Sequence, residues 1–372
     1  MNVFRKIGAI VNPASASGRT ARRWPGIERA LEQRLGSFET RFTSHSGHAI
    51  DIARRMADQG FDLVIAVGGD GTVNEVVNGL VHGVDARQPS SVTQALLPCG
   101  TGGDFQRTLG MPSRIPDAIA ALASGSPIRM DLGKASFRDP EGRRRERLFV
   151  NLLSFGMGGE VASRARNWLS PLGGSAAFLY ATAQTFFRYE PKEVSLRLDG
   201  GPPIDATVMN VAIGNGCFHG GGMHVCPRAA LNDGAFDVTV IDNLGLLEIL
   251  RKLPVLYSDN IYSYNKVHHY RAAAVIAESP QAARIELDGE PVGTLPAEVS
   301  ILPAMLNVLV PTSAQAARSG IKGKKNPADL AAPPESVVRE FPKSAQAARS
   351  GIKGRKTRRT WPHRASPLCA SF

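Results

Sequence analysis

A buried strand that ends in a glycine turn and continues into a helix constrains the fold more than any other stretch. Residues 61–67 form an almost unbroken apolar, β-branched run, which is typical of a strand buried on both faces of a parallel sheet. Gly68-Gly-Asp-Gly71 ends that strand, and the apolar residues after it recur at helical spacing: Val73, Val76, Val77 and Leu80. This order places backbone N–H groups at a helix N-terminus, where anions bind.

The carboxylate of Asp70 lies within this glycine turn. Glycine lets a phosphate approach the main chain closely. A carboxylate beside that phosphate is explained if a divalent cation, or a group that loses a proton, shares the site. A plain turn in which Asp70 caps its own helix is the simpler alternative. The motif continues through further polar residues, which favours the ligand-binding interpretation: Thr72, Asn74, Glu75 and Asn78.

The N-terminal third alternates between strand and helix patterns. Strands are predicted at 6–12, 38–42, 61–67 and 93–97, with helices at 20–35, 48–58 and 72–80. Such alternation with short connections predicts an α/β, doubly wound parallel sheet. The loops at 12–18, 68–72 and 98–104 follow strands and should converge at one edge of this sheet, where open α/β sheets bind ligands. The sequence therefore predicts a nucleotide site there.

From Met130 the pattern becomes rich in strands and predicts a sandwich-like C-terminal domain. The predicted strands are 130–137, 147–153, 193–199, 205–213, 235–241, 284–288 and 298–309. Two apolar helices, at 176–187 and 244–256, are interpreted as core elements, with an acyl-chain or membrane contact as the alternative. We divide the chain into a nucleotide domain at 1–129 completed by 300–311, a substrate domain at 130–299, and a tail at 312–372.

The tail carries almost all of the net charge. Residues 313–372 hold 13 Lys and Arg against 3 Asp and Glu, whereas the whole chain of 372 residues has a net charge of +11. The tail contains an 11-residue repeat, at 313–323 and 344–354, that has no aromatic residue. A basic segment poor in aromatic residues cannot bury enough surface to fold, so the tail is expected to be disordered. Contact with an anionic membrane is the functional alternative. Nothing in the folded part supports binding to nucleic acid.

Hydrophobic residues at 43% and charged residues at 21% are typical of an ordinary soluble protein. No apolar run approaches the roughly 18 residues of a membrane span, and the first residues lack the apolar region of a signal peptide. Four irregularly spaced cysteines are expected to be reduced thiols. We expect a cytoplasmic protein associated peripherally with the inner face of the membrane.

Several motifs together carry a family resemblance. The longest are residues 68–79 and residues 98–110 (Pro-Cys-Gly-Thr-Gly-Gly-Asp-Phe-Gln-Arg-Thr-Leu-Gly). The shorter ones are Asn12-Pro-Ala-Ser, Thr43, Gly47-His-Ala, Gly214-Asn-Gly, Gly220-Gly-Gly-Met, Asn232-Asp-Gly and Asp288-Gly-Glu-Pro. Over about residues 5–310 the chain resembles the diacylglycerol kinase catalytic domain in its bacterial lipid kinase branch, which is related to sphingosine kinases and more distantly to NAD kinases. It departs from the pattern at Gly103, where Asn is usual.

The resemblance implies a transferase in which MgATP, bound in a cleft between the two domains, phosphorylates a hydroxyl of a diacylglycerol-like lipid for phospholipid metabolism. The residues that it assigns to ATP are Asn12, Thr43, Gly69, Asp70, Gly71, Thr72, Val73, Asn74, Glu75 and Thr101. Asp70 would also help to hold the catalytic Mg²⁺. Asp104 joins the catalytic set, and Glu290 is the candidate base for the lipid hydroxyl.

Asp288 stands two residues before Glu290, so on an extended segment both carboxylates would point to the same side and repulsion would raise one pKa. A polar hairpin turn is the alternative. The resemblance also implies a structural Mg²⁺ on the Asp233 side chain and the main-chain carbonyls of Ala230 and Ala235, for which a plain turn is again the alternative.

Other functions stay open on the sequence alone. Zinc binding is suggested by Cys217, His219, His224 and Cys226, although the glycine run among them favours a loop that lines the cleft. An NAD kinase also uses Gly-Gly-Asp-Gly, but there the Asn-Glu pair belongs to a separate motif. A nucleotide- or lipid-binding regulator without turnover is the third candidate, because Gly103 breaks the pattern. The sequence specifies neither the acceptor lipid nor an oligomeric state.

Overall fold

The computed structural model describes residues 4–81, 89–167, 189–245 and 260–312, together with residues 185, 248, 255, 257 and 258. The predicted tail and most of the two predicted apolar helices, at 176–187 and 244–256, lie outside the described residues. Among the described residues, no helix is both long enough and apolar enough to cross a membrane.

The N-terminal lobe is a parallel sheet with helices in its connections. Its strands are β1 (Ile7–Val11), β2 (Glu39–Phe42), β3 (Leu63–Gly68) and β4 (Thr93–Pro98), in the order β2-β1-β3-β4. Its helices are α1 (Arg19–Leu35), α2 (His48–Asp58), α3 (Asp70–Leu80), α4 (Asp104–Thr108) and α5 (Ile115–Ser124). The connection through α1 leads from β1 to β2, towards one edge of the sheet. The connections through α2 and α3 lead from β2 to β3 and from β3 to β4, towards the opposite edge. Right-handed crossovers therefore place helices on both faces.

Helix patterns in this lobe follow from burial of one face. In α1 the buried residues Trp24, Ile27 and Leu31 recur at three- and four-residue spacing, as expected for a helix that lies on a sheet. In β3 all six residues are buried, because the parallel sheet is covered on both sides. These side chains form one continuous core with β1, β4, α2 and α3.

The C-terminal lobe is an antiparallel β-sandwich. Its elements are β5 (Ser126–Arg138), β6 (Arg144–Phe149), β7 (Leu152–Gly156), α6 (Met157–Asn167), β8 (Lys192–Leu198), β9 (Ile204–Gly214), β10 (Phe236–Asp242), β11 (Val267–Ala272), β12 (Ala274–Glu278) and β13 (Arg284–Leu287). Strands β13, β7, β9, β10 and β11 are neighbours in that order, and β8 joins β9 to β12. A second core of alternating apolar residues, including Phe149, Phe155 and Phe236, fills the sandwich. The predicted α/β domain followed by a sandwich-like domain is confirmed.

The last strand, β14 (Glu290–Val310), belongs to both lobes. Its first part pairs antiparallel with β13 and β12, whereas Asn307 and Val308 pair parallel with Thr93 and Gln94 of β4. Two register shifts, between Thr294 and Glu298 and between Leu302 and Leu306 in its ladder with β5, let one strand follow both sheets.

Two predicted strands differ from the structure. The predicted strand 147–153 is interrupted between Phe149 and Leu152, because the N–H groups of residues 150–152 bind the Asp288 side chain. The predicted strand 298–309 begins eight residues earlier. Elements α5, α6, β11 and β12 were not predicted.

Candidate active site

Two glycine turns meet at the carboxyl edge of the parallel sheet. Gly68, the last residue of β3, pairs with Pro98 of β4, so the turns that follow lie side by side. A side chain at Gly100 would collide with the Cα atom of Gly69, which is why glycine is required there. The two turns, with Gln106, Arg107 and Ser113, line a cleft of about 200 Å³. Thr101 is an exposed residue of this lining.

The loops after β1 and β2 reach the same edge. The Asn12 side-chain amide donates to Oγ1 of Thr72 at 3.1 Å, which links the first loop to the glycine turn. The N–H of Thr43 donates to the carbonyl of Val11 at 2.9 Å. The predicted convergence of the loops is therefore observed, whereas ATP contacts by these residues stay a prediction.

Asp70 turns its carboxylate toward the second glycine turn. Its two oxygens accept hydrogen bonds from the N–H groups of Gly103, Asp104 and Phe105 at 3.1–3.2 Å. It thus caps α4, and not its own helix. Burial raises the pKa of Asp70 to about 6, and the nearby Asp104 carboxylate adds to the rise.

The surroundings of Asp70 fit a bound divalent cation. No Lys or Arg within the described ranges forms an ion pair with this carboxylate, so its enclosed negative charge is balanced only by N–H dipoles. Oδ2 accepts two of these hydrogen bonds and Oδ1 accepts one, so Oδ1 can accept a further ligand, and the carboxylate lines the cleft. A hard cation such as Mg²⁺ would bind oxygen ligands of this kind.

The contacts that Asp233 makes do not fit the predicted structural Mg²⁺ site. One oxygen of Asp233 pairs with Arg271 at 2.5 Å, and the other accepts the N–H of Ala235 at 3.2 Å. A guanidinium thus already neutralises the carboxylate. No contact described for Ala230 directs its carbonyl at a shared position, and we derive no step through a metal here.

Asp288 and Glu290 lie on a hairpin turn, and not on an extended segment as predicted. Asp288 (φ 48°) and Gly289 (φ 85°) are left-handed residues between β13 and β14, and their turn separates the two carboxylates. Asp288 is buried and accepts four hydrogen bonds, from the N–H groups of residues 150–152 and from the Asn74 amide, at 2.8–2.9 Å. Burial raises the pKa of Asp288, and these bonds oppose the rise.

Glu290, a residue of the C-terminal lobe, approaches the glycine turn that contains Gly71. Its Oε1 lies 2.9 Å from the position that a Cβ atom on Gly71 would take, so glycine at 71 makes room for this carboxylate. Its Oε2 forms an ion pair with the Arg147 guanidinium at 2.7 Å. Arg147 is a site residue that the sequence analysis missed, because it stands in a run of exposed arginines at 143–147.

Three residues assigned to ATP turn their side chains elsewhere. Val73 is buried in the N-terminal core, and its N–H donates to the carbonyl of Gly69. Asn74 is buried and donates to Leu148 and Asp288 of the C-terminal lobe. Glu75 accepts the N–H groups of Gly47 and Ala49 and so holds the N-terminus of α2. Of helix α3 only Asp70 lines the cleft, and ATP contacts by Val73, Asn74 and Glu75 stay a prediction.

Asp104 links the two lobes. Its carboxylate accepts the N–H of Gly221 at 2.9 Å and pairs with Arg107 at 3.3 Å. Gly103, where the family pattern has Asn, has a φ of 75°. Among non-glycine residues, Asn tolerates this conformation best, so the exchange leaves the backbone unchanged and removes only a side chain.

The residues considered for zinc have other partners. His219 lies 2.7 Å from Glu286, which is buried beneath the loop that contains Gly221. Burial alone would lower the pKa of His219, but the Glu286 carboxylate outweighs it and raises the pKa to about 9. Cys226 is buried with its thiol directed at the carbonyl of Asp237. Within the described ranges, no group of three or more His, Cys, Asp or Glu side chains could hold a metal.

Comparison with known families agrees with this arrangement. Residues 6–135 match the diacylglycerol kinase catalytic domain, and residues 151–310 match the YegS C-terminal NAD kinase beta sandwich-like domain. The chain is 30% identical over 308 residues to a diacylglycerol kinase of Mycobacterium tuberculosis, covering 82% of this chain and 95% of that protein. It is 28% identical over 271 residues to a YegS-like lipid kinase of Chromohalobacter salexigens, covering 73% of this chain and 83% of that protein.

A solved structure shares the fold. The crystal structure of a protein assigned as a diacylglycerol kinase from Bacillus anthracis strain Sterne superposes with a TM-score of 0.66 at 26% identity, covering 84% of this chain and all of that one. The matches span both lobes and include the two glycine turns and the hairpin with Glu290. The chain therefore belongs to the diacylglycerol kinase family of lipid kinases.

Proposed function

We propose that this protein transfers the γ-phosphoryl group of MgATP to a hydroxyl group of a diacylglycerol-like lipid. The observation that carries the proposal is the position of Glu290, a C-terminal-lobe carboxylate placed against Gly71 in the glycine turn of the N-terminal lobe. A general base must lie within reach of the hydroxyl proton while the phosphates rest on the turn. The position of Glu290 beside the glycine turn supports this role.

The two glycine turns supply the phosphate site. The N–H groups at the start of α3 and the absence of side chains at Gly69, Gly71 and Gly100 suit a triphosphate. Asp70 would hold Mg²⁺, directly or through water, and the bound ion would neutralise charge on the phosphates. The protein's task in phosphoryl transfer is mainly to position reactants and compensate charge.

Glu290 accepts the proton of the lipid hydroxyl while the hydroxyl oxygen forms a bond to the γ-phosphorus. The bond between that phosphorus and the oxygen bridging to the β-phosphate breaks, and ADP leaves with that electron pair. The products are a phosphorylated lipid and ADP, and the proton then passes from Glu290 to solvent.

The proposal extends to where the reaction takes place. A lipid with long acyl chains resides in a membrane, so the protein would work at the inner face of the membrane from the cytoplasm. The basic tail at 313–372 would assist by contacting anionic lipid. Diacylglycerol, a sphingoid base, phosphatidylglycerol and a polyprenol all offer a suitable hydroxyl, so the first assay should present them together.

The test is transfer of ³²P from [γ-³²P]ATP with Mg²⁺ into a total lipid extract, in parallel with NAD as acceptor. We expect a labelled lipid from the wild-type protein and a loss of at least about 100-fold in E290Q, as is typical when a general base is removed. E298Q is the matched control, because Glu298 is an exposed glutamate of the same strand that pairs with Arg144. It should behave as wild type.

Other outcomes would identify another function. Label in NADP alone would show an NAD kinase, the function suggested by part of the sandwich domain's description. ATP binding without label in either acceptor would show a regulator. Equal lipid labelling by wild type and E290Q would reject Glu290 as the base while leaving the reaction in place.

A further inference from the structure

We propose that Arg147 is a positioning residue that fixes the rotamer of the Glu290 base, so that Oε1 faces the reacting hydroxyl. The inference rests on the proposed function and adds a residue that the motifs do not contain. Arg147 belongs to β6 of the C-terminal lobe, and its guanidinium lies between Glu290 and Asn74, a residue of the nucleotide helix α3.

Arg147 differs from the neighbouring arginines of its segment. The Arg147 side chain is 26% exposed, whereas those of Arg143, Arg144 and Arg145 are 55–64% exposed and pair with Asp139 or Glu298, away from Glu290. The Arg147 guanidinium points inward, to the turn that holds Glu290. Its positive charge therefore lies beside the Glu290 carboxylate, where an ion pair is less screened than one at the surface.

The guanidinium is also held by a rigid acceptor. Nη2, the atom that pairs with Glu290, and Nε both donate to Oδ1 of Asn74, at 2.9 and 3.3 Å. Asn74 is itself fixed, because its amide donates in buried hydrogen bonds to the carbonyl of Leu148 and to Asp288. The bonds to Asn74 thus define where Arg147 can lie.

The two oxygens of Glu290 then have different tasks. Oε2 is 2.7 Å from Nη2 of Arg147, and Oε1 lies against Gly71. The Glu290 side chain is 39% exposed, and a glutamate with that much solvent contact would otherwise sample several rotamers. By holding Oε2, Arg147 leaves Oε1 as the atom that receives the proton.

The guanidinium shape matters for this arrangement. Arg presents several N–H groups in a planar fork and can contact Asn74 and Glu290 at once, whereas the ammonium of Lys is a single point on a flexible chain. Misplacement of a reacting group by about 1 Å costs about 100-fold in rate. Loss of Arg147 should therefore lower kcat more than it affects binding of either substrate.

The experiment compares wild type, R147M, R147K and R145M in the lipid phosphorylation assay, with ATP binding and thermal unfolding measured on each. We expect kcat to fall about 10- to 100-fold in R147M, with KM for ATP changed less than about threefold. R147K should recover part of the loss. R145M is the matched control. Arg145 lies on the same strand as Arg147, but it pairs with Asp139 in the loop between β5 and β6.

Comparison in the E290Q background separates positioning from a purely structural role. In the E290Q background, R147M should add little further loss, because the two residues act through the same proton transfer.

The failure of this inference is distinguishable from failure of the proposed function. Wild-type kcat in R147M, or a loss equal to that of R145M, would reject the role of Arg147 while a large loss in E290Q preserved the kinase. A large loss in R147M that adds in full to that of E290Q would also reject it. A wild-type protein that labels no lipid would overturn both proposals.

Discussion

At the scale of single residues, the carboxylates of the site have separate tasks that their types alone do not reveal. Glu290 is half-exposed and faces the glycine turn, whereas Asp288 is buried and fully hydrogen-bonded. The family resemblance implied that both are catalytic, with Glu290 as the base and Asp288 beside it. The left-handed turn at Asp288 and Gly289 separates them, and only the conformation of this turn distinguishes Glu290, the proposed base, from the carboxylate that binds the backbone of residues 150–152.

Replacing Asp288 by Asn should destabilise the fold. Each Asp288 oxygen accepts two hydrogen bonds, so an amide NH₂ in place of either oxygen faces two donors. A buried donor without an acceptor costs about 1–3 kcal/mol, and we expect D288N to lower the free energy of unfolding by about 2 kcal/mol or more in urea titrations. E290Q should change it by less than about 0.5 kcal/mol, because that site is partly exposed. An unchanged urea midpoint together with lost turnover would instead assign Asp288 to the chemistry.

The His219–Glu286 pair should make stability depend on pH. The unfolded chain has the ordinary His pKa of 6.5, and the folded pKa is raised to about 9 by Glu286, with Asp104 and Asp288 adding to the field. Folding therefore takes up a proton between these values, so the stabilisation is complete below pH 6.5 and is lost as the pH rises through about 9.

H219Q should remove this part of the pH dependence. Unfolding free energies measured from pH 6 to pH 10 should fall more steeply for wild type than for H219Q, with the difference between them largest at pH 6. H45Q, which changes an exposed histidine of the N-terminal lobe, serves as the control. Parallel curves for wild type and H219Q would contradict the prediction.

At the scale of elements, the sequence predicts those parts whose residue pattern is periodic and local. Strand β3 and helix α3 are clear because a fully apolar run changes to helical spacing at Gly68. The break between β6 and β7 was missed because its cause, the Asp288 carboxylate, is 136–138 residues away in the chain. Arg147 was missed for the same reason, since nothing in its basic surroundings indicates that Asn74 and Glu290 are its partners.

At the scale of the molecule, the family motifs predicted the two-lobe architecture, and contacts between the lobes explain how the motifs form one site. Asn74, Asp104 and Arg147 each join residues of one lobe to the other. The boundaries predicted at 129/130 and 299/300 stay predictions, and the passage of β14 into the sheet beside β4 shows why a linear division is a simplification.

Removal of the tail should separate membrane attachment from chemistry. A basic residue near an anionic membrane contributes about 1 kcal/mol, and residues 313–372 carry a net charge of +10. We expect deletion of 313–372 to weaken sedimentation with phosphatidylglycerol-containing vesicles by at least about 10-fold, while turnover on detergent-dispersed lipid is preserved. A full-length variant with the tail Lys and Arg changed to Gln should match the deletion. Equal sedimentation of all three proteins would contradict a role for the tail in attachment.

The course of β14 through both sheets has a consequence for synthesis of the chain. The partner of β4 on its outer side is supplied by residues 307 and 308, more than 200 positions later. During synthesis the N-terminal lobe therefore leaves the ribosome with β4 unpaired at the edge of its sheet. Unpaired edge strands can pair with other chains. The lobe acquires its last strand only when nearly all of the described chain has emerged, so its sheet cannot be completed before the C-terminal lobe has been synthesised.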